Sequence, residues 1–112
     1  MDIDWSDAPA KTREVYAYLK ACASQMRTVH YGEIAEHVGL AAAGMGVPLR
    51  FIRDEVCRKH GFPWLNALAV SADDWRPGKM FLPEGVDVDR DEELLWRGMV
   101  LQVFVFDWES IR

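Results

Sequence analysis

Three apolar stripes at helical spacing, each followed by residues that break a helix, occupy the first 61 positions and commit that stretch to short packed helices. Val15, Leu19, Cys22 and Met26 recur at intervals of four, three and four, which places them on one face. Ser6 or Asp7 is the expected N-cap of this first helix, with Ala8 and Pro9 in its first turn. Ile34, Ala35 and Val38 form the inner side of a second helix, expected from about Tyr31 to Val38 and capped by Gly39. Thr28 and Val29 suit a brief extended segment between the two. Gly39 to Gly46, with three glycines, reads as a loop. Pro48 then fits the first turn of a third helix with Leu49, Ile52 and Val56 inward, which Gly61 stops.

The pattern changes after Gly61. Leu65 to Ser71 is an apolar run, Asp73-Asp74-Trp75-Arg76-Pro77-Gly78 is turn-forming, and Lys79 to Leu82 follows. Leu65 to Leu82 is therefore expected to be a β-hairpin. A last helix is expected from Asp89, with Glu92 completing a capping-box pattern. Ten of the thirteen residues from Leu94 to Phe106 are apolar, more than a helix with one solvated face carries. The residues Val103 to Phe106 also permit a strand.

A chain of 112 residues has room for one hydrophobic core, so a single domain over 1–112 is expected, with its core in 7–82 and an acidic and apolar C-terminal helix in 84–112. Cys22 and Cys57 lack the spacing of a zinc ribbon or a secreted disulfide framework. The first fourteen residues have no apolar signal-like run, and Met99 to Phe106, interrupted by Gln102, is far shorter than the ~20 residues of a membrane span. The expectation is a cytoplasmic protein with no membrane partner. Of the formal charge of −5, residues 1–83 contribute nothing, with ten basic against ten acidic side chains; three arginines against eight acids in 84–112 carry it all.

Helix, helix, helix and hairpin in that order is the winged helix-turn-helix layout, so the expected fold is mainly α with a small β-hairpin, a winged helix with an added C-terminal helix. The wording of the sequence sharpens this. Val15-Tyr16-Ala17-Tyr18-Leu19, then Thr28-Val29-His30-Tyr31-Gly32-Glu33-Ile34-Ala35 and Val38-Gly39, resembles the C-terminal winged-helix domain of alkylguanine DNA alkyltransferases and alkyltransferase-like proteins, which carry a V-T-T-Y-G-D-L-A type phrase. Gly61-Phe62-Pro63-Trp64-Leu65-Asn66-Ala67-Leu68-Ala69-Val70 falls where that family has its active-site strand, and also resembles a G-L-P-P-L-N-A-L-V-V phrase of small bacterial winged-helix proteins. The resemblance covers roughly residues 13 to 82. It implies a DNA-contacting fold without the family's chemistry. The Pro-Cys-His-Arg core, whose cysteine accepts the alkyl group, is replaced by Asn66-Ala67-Leu68-Ala69, and the DNA-inserting arginine has no equivalent in Gly39 to Val47.

The third helix is the expected recognition helix. With Leu49, Ile52 and Val56 inside, Arg50, Arg53 and Asp54 are expected to point outward, with Arg58 and Lys59 near the end. Arginine suits phosphates and guanine edges because its fork donates two parallel hydrogen bonds. The ordinary alternative is a solvated face with intrahelical pairs such as Arg50 with Asp54. At the hairpin tip, Trp75 would stack on a base or sugar while Arg76 and Lys79 hold phosphate, although Asp73 and Asp74 would repel the same phosphates; otherwise Trp75 folds back on its own hairpin.

His30, His37 and His60 fit no zinc motif, and His37 and His60 suit helix C-termini. Cys57 beside Arg53, Arg58 and Lys59 would be a low-pKa thiolate or, failing that, an ordinary half-buried cysteine. The acids Asp87, Asp89, Asp91, Glu92 and Glu93 lack the glycine and final glutamate of a calcium loop. Trp64, Trp96 and Trp108 are assigned to packing of the hairpin against the last helix, whose surplus apolar surface suits a homodimer.

These features lead to a non-enzymatic DNA-binding module, regulatory or part of a nucleic-acid-processing system, with no cofactor or metal and with double-stranded DNA and a second copy as partners. A protein-interaction module that uses residues 84–112 is the alternative. An enzyme ranks third, because no nucleophile-base, metal or paired-carboxylate constellation stands out.

Overall fold

The computed structural model describes residues 3–75 and 92–111. It is mainly helical, with one two-stranded parallel sheet.

Helix α1 spans Thr12–Ser24 and buries Val15, Leu19 and Cys22, as their spacing requires. It begins later than the Ser6 or Asp7 cap predicts. Two turns intervene, closed by Ala8 N–H to the Trp5 carbonyl and Thr12 N–H to the Pro9 carbonyl, and Lys11 takes a left-handed φ of 71°. Trp5 holds this leading segment down, its ring 5.1 Å from that of Tyr16 and 6.2 Å from that of Phe51. Met26, expected on the inner stripe, lies past the helix end and is exposed. Its φ is 53°, its N–H donates to the Ala23 carbonyl, and Arg27 N–H donates to the Cys22 carbonyl. That pair of bonds is a Schellman motif with methionine where glycine is usual.

Strand β1 is Val29–His30 and helix α2 is Tyr31–Val38, with Ile34, Ala35 and Val38 buried. Gly39 takes φ 81° and donates its N–H to the Ala35 carbonyl, the glycine cap the sequence predicts. The glycine-rich stretch holds a 3-10 turn at Ala42–Gly44 before α3, Gly46–Phe51, which has Pro48 in its first turn. The helix runs on into a π-helical segment, Ile52–Arg58, and ends at Gly61, φ 74°.

The predicted hairpin does not form in the described residues. Leu65–Leu68 coils into a buried 3-10 turn, and only Ala69–Val70 extends, as β2. Its partner is β1, in parallel, with Val29 opposite Ala69 and His30 opposite Val70. A short apolar run satisfies a buried turn as well as a strand, so its composition does not separate the two. The outer arm of the expected hairpin, Lys79 to Leu82, and the end of its turn lie outside the described residues.

Helix α4 spans Glu92–Val105; its expected start at Asp89 is outside the described residues, and Val103–Val105 is helical rather than extended. Trp96 donates its indole N–H to the Ala67 carbonyl at 2.7 Å, and Trp108 donates to the Val103 carbonyl at 2.9 Å. Trp64 meets Met99 through its backbone N–H. Trp64 and Trp96 thus tie α4 to the region of the 65–68 turn, where the hairpin was expected, while Trp108 ties the chain after α4 back onto that helix. One core joins the layers, with Leu19, Ile34, Ile52, Leu65 and Leu68 fully buried, each contributing roughly 1.5–3 kcal/mol of transfer energy. Among the described residues no helix is long and apolar enough to cross a membrane.

Candidate nucleic-acid interface

The α3 segment buries Leu49, Ile52, Arg53, Val56 and Cys57, positions i, i+3, i+4, i+7 and i+8, the full width of a core-facing stripe. Arg53 therefore points inward, against the expectation that it faces a groove, and is only 6% exposed. Its burial is compensated by Asp54: Nε donates to Oδ1 at 2.8 Å and Nη2 to Oδ2 at 2.7 Å. The Arg53 guanidinium, with smaller help from Arg58 and Arg50, holds the Asp54 carboxyl below the usual carboxylate range.

Arg50, Arg58 and Lys59 are exposed, as predicted. Lys59 approaches Glu55 at 4.0 Å and lines a cleft of about 330 Å³ with Asp4, Asp7, Phe51 and Glu55. With three carboxylates around it, Lys59 is placed for an acidic neighbourhood rather than for phosphate. Arg50 and Arg58 lie four residues before and after Asp54, along one face of the helix.

Trp75 is 48% exposed, with φ 57°. It folds onto β1 and the start of α2, not onto a hairpin of its own: its indole N–H donates to the Thr28 hydroxyl at 3.0 Å, and its ring meets His30 edge-on at 5.8 Å. Asp73 and Asp74 beside it are exposed. Arg76 and Lys79 lie outside the described residues, as do Asp87, Asp89 and Asp91.

A polar cluster that periodicity does not announce ties α1 to α2. Tyr18 donates its hydroxyl to Glu33 Oε2 at 2.5 Å, and Arg27 Nη2 reaches the same oxygen at 2.9 Å. Arg27 first, then Tyr18, holds the Glu33 carboxyl low, and the bond to Glu33 pushes the Tyr18 hydroxyl up. The Tyr18 ring packs 4.4 Å from that of His37. His30 caps α2, its Nδ1 accepting from Glu33 N–H at 3.0 Å. Glu33 was visible only as part of the Tyr-Gly-Glu phrase; its partners are remote in sequence, and no spacing rule finds them.

The histidine at the end of α3 does what its position suggests: His60 Nδ1 donates to the Val56 carbonyl at 2.8 Å. Cys57 is no activated thiol. It is fully buried, accepts a hydrogen bond from Leu65 N–H, and desolvation pushes its pKa up to about 12. Among the described residues no group of three or more His, Cys, Asp and Glu is placed to hold a metal ion. No family model matches the chain, and no curated protein or solved structure matches it either.

Proposed function

We propose that this chain is a non-catalytic, winged-helix DNA-binding module that contacts the duplex through the outer face of α3. The observation that carries the reading is the internal neutralisation of that face. Asp54, which would repel phosphate, is paired with buried Arg53, and Lys59 is offset by Glu55. Arg50 and Arg58, both exposed, flank Asp54 on the same face and are the contacts of this reading. Arg53 becomes a positioning residue, orienting the acid between the two contact arginines. The succession α1, β1, α2 and α3, together with the Tyr31-Gly32-Glu33-Ile34-Ala35 phrase, supports the winged-helix assignment. In this reading Trp75 offers a stacking surface beside the β1–α2 junction, with Arg76 and Lys79 of the same stretch supplying phosphate contacts.

The test is fluorescence anisotropy with a labelled duplex over a range of salt. The expected result is binding that weakens with salt, with a log–log slope about one unit shallower for each of Arg50→Gln and Arg58→Gln. Absence of binding at low salt, or full binding by the doubly charge-reversed Arg50→Glu/Arg58→Glu protein, would sink the proposal. A second reading, a protein-interaction module, is favoured by a different observation, the bare outer face of α4.

A further inference from the structure

We propose that the outward face of α4 is a homotypic docking surface, through which two copies of this chain pair with their α4 helices antiparallel. Helix α4 is apolar on two opposite faces. Its inner face is occupied: Val103 is fully buried, Val100 nearly so, and Trp96 is tied to Ala67. On its outer face Leu94, Leu101 and Val105 are 68%, 63% and 78% exposed, with Leu95 exposed at the flank. No charged residue lies from Gly98 to Phe106. Between the two faces lie the exposed Arg97, paired with Glu93, and Gln102, so the helix has two separate apolar stripes and only one of them is covered.

The spacing of this face selects the occupant. Leu94, Gly98, Leu101 and Val105 are separated by four, three and four residues, a seam of the coiled-coil type. The interval reads the same in either direction, so an antiparallel second copy meets it in register. Leu94 then lies opposite the partner's Val105, and Gly98 opposite the partner's Leu101. A two-fold interface requires this self-complementarity. The shapes agree as well: Gly98 is exposed, with nothing within 4 Å of where a Cβ would stand, so it forms a hollow for the opposing leucine. Beside it, Trp96, Arg97, Val100 and Leu101 line an apolar groove of about 270 Å³, a receptor for the flank of the second helix. Antiparallel packing also sets opposite helix dipoles side by side.

Area and charge fix how strong the pairing is. The seam covers about 17 Å of helix, and its apolar patch is on the order of 400 Å². That is below the ~800 Å² per partner of a standard stable interface. The pairing is therefore weak and concentration-dependent. Each copy carries a formal charge of −5, so repulsion opposes association and added salt strengthens it. Duplex binding has the opposite salt dependence, so failure of one proposal is separable from failure of the other.

The test is sedimentation equilibrium of the full chain without DNA, from about 10 µM to about 1 mM at low and high salt. The expected result is a monomer–dimer equilibrium that tightens with salt. Leu101→Glu should raise the dimer dissociation constant at least tenfold without changing the urea midpoint. Gly98→Ala should do the same in part while raising the midpoint, because alanine favours a helix as it fills the hollow. A mixture of Leu101→Glu with Gly98→Lys should form a heterodimer, and Leu101→Glu with Leu101→Lys should not; the reverse overturns the antiparallel register. A wild-type chain that stays monomeric at the highest concentration and salt, or a dimer indifferent to Leu101→Glu, overturns the proposal.

Discussion

Arg53 and Asp54 are neighbours in sequence and close a two-pronged ion pair, with the guanidinium buried and the carboxylate half-buried above it. A buried guanidinium stripped of this acceptor must lose stabilisation. Asp54→Ala is expected to cost about 1.5–3 kcal/mol in urea unfolding, the range for hydrogen bonds to charged groups. Arg53→Met, which keeps the stem and removes the charge, should cost less. Equal costs would mean that the charge, not the packing of the stem, is what Arg53 contributes.

The same pair sets the acid limb of stability. The folded-state pKa of Asp54 is depressed by Arg53, so its contribution is present above the unfolded carboxylate value of ~3.9 and is lost as pH falls through the lower folded value. Asp54→Asn should therefore flatten the stability–pH curve below about pH 4 and leave its shape near neutrality unchanged. Urea midpoints taken across that range provide the comparison.

At alkaline pH the sign runs the other way. Burial pushes the Tyr16 hydroxyl up to about 12, and among the described residues that hydroxyl has no hydrogen-bond partner. Its neutral form is favoured by folding, so the contribution is complete below the ordinary value of 10.0 and is lost as pH rises through about 12. Tyr16→Phe should remove part of this alkaline loss and raise neutral-pH stability by about 1 kcal/mol, since no buried hydroxyl is left unpaired. A destabilised Tyr16→Phe protein at neutral pH would contradict the assignment.

Cys22 and Cys57 are both buried with raised pKa values. A thiol reagent is expected to modify Cys57 only through unfolding, at a rate that rises with urea and saturates at the unfolding transition. Fast labelling of native Cys57 would show that the 65–68 turn opens independently.

Two of the left-handed helix ends, at Gly39 and Met26, make opposite predictions. Gly39→Ala forces a Cβ into φ 81° and should cost about 1 kcal/mol, whereas Met26→Gly relieves φ 53° in a Schellman motif and should gain about 0.5–1 kcal/mol. Thermal unfolding of the two variants checks both signs.

How much of this was written in the chain varies element by element. The bounds of α2 were legible, because Gly39 marks its end chemically and Ile34, Ala35 and Val38 mark its face. The start of α1 was not. Ser6 and Asp7 are good caps in general, but Trp5 packs on Tyr16 and Phe51 and holds the leading residues in turns instead. Leu49, Ile52 and Val56 predict a narrow stripe that leaves Arg53 outward, whereas the helix buries a wider one, whose charged flank the adjacent acid makes tolerable. The 65–68 turn was ambiguous in principle, since apolar content does not separate a strand from a buried coil. The Tyr18–Glu33–Arg27 cluster depends on the crossing of α1 over α2, which no local pattern encodes.

The small parallel ladder has a kinetic meaning as well as a geometric one. Val29–His30 and Ala69–Val70 are paired across about forty intervening residues, so the ladder closes a long loop whose ends must be brought together before its hydrogen bonds can form. Helices α2 and α3 lie wholly within that loop. A local helical hairpin could assemble early, but the ladder and the turn before it are placed to form late, after α1 and α3 have met. Anything that loosens β2, then, should speed unfolding more than it slows folding, and should release the α2–α3 segment as a single unit rather than fray it from one end.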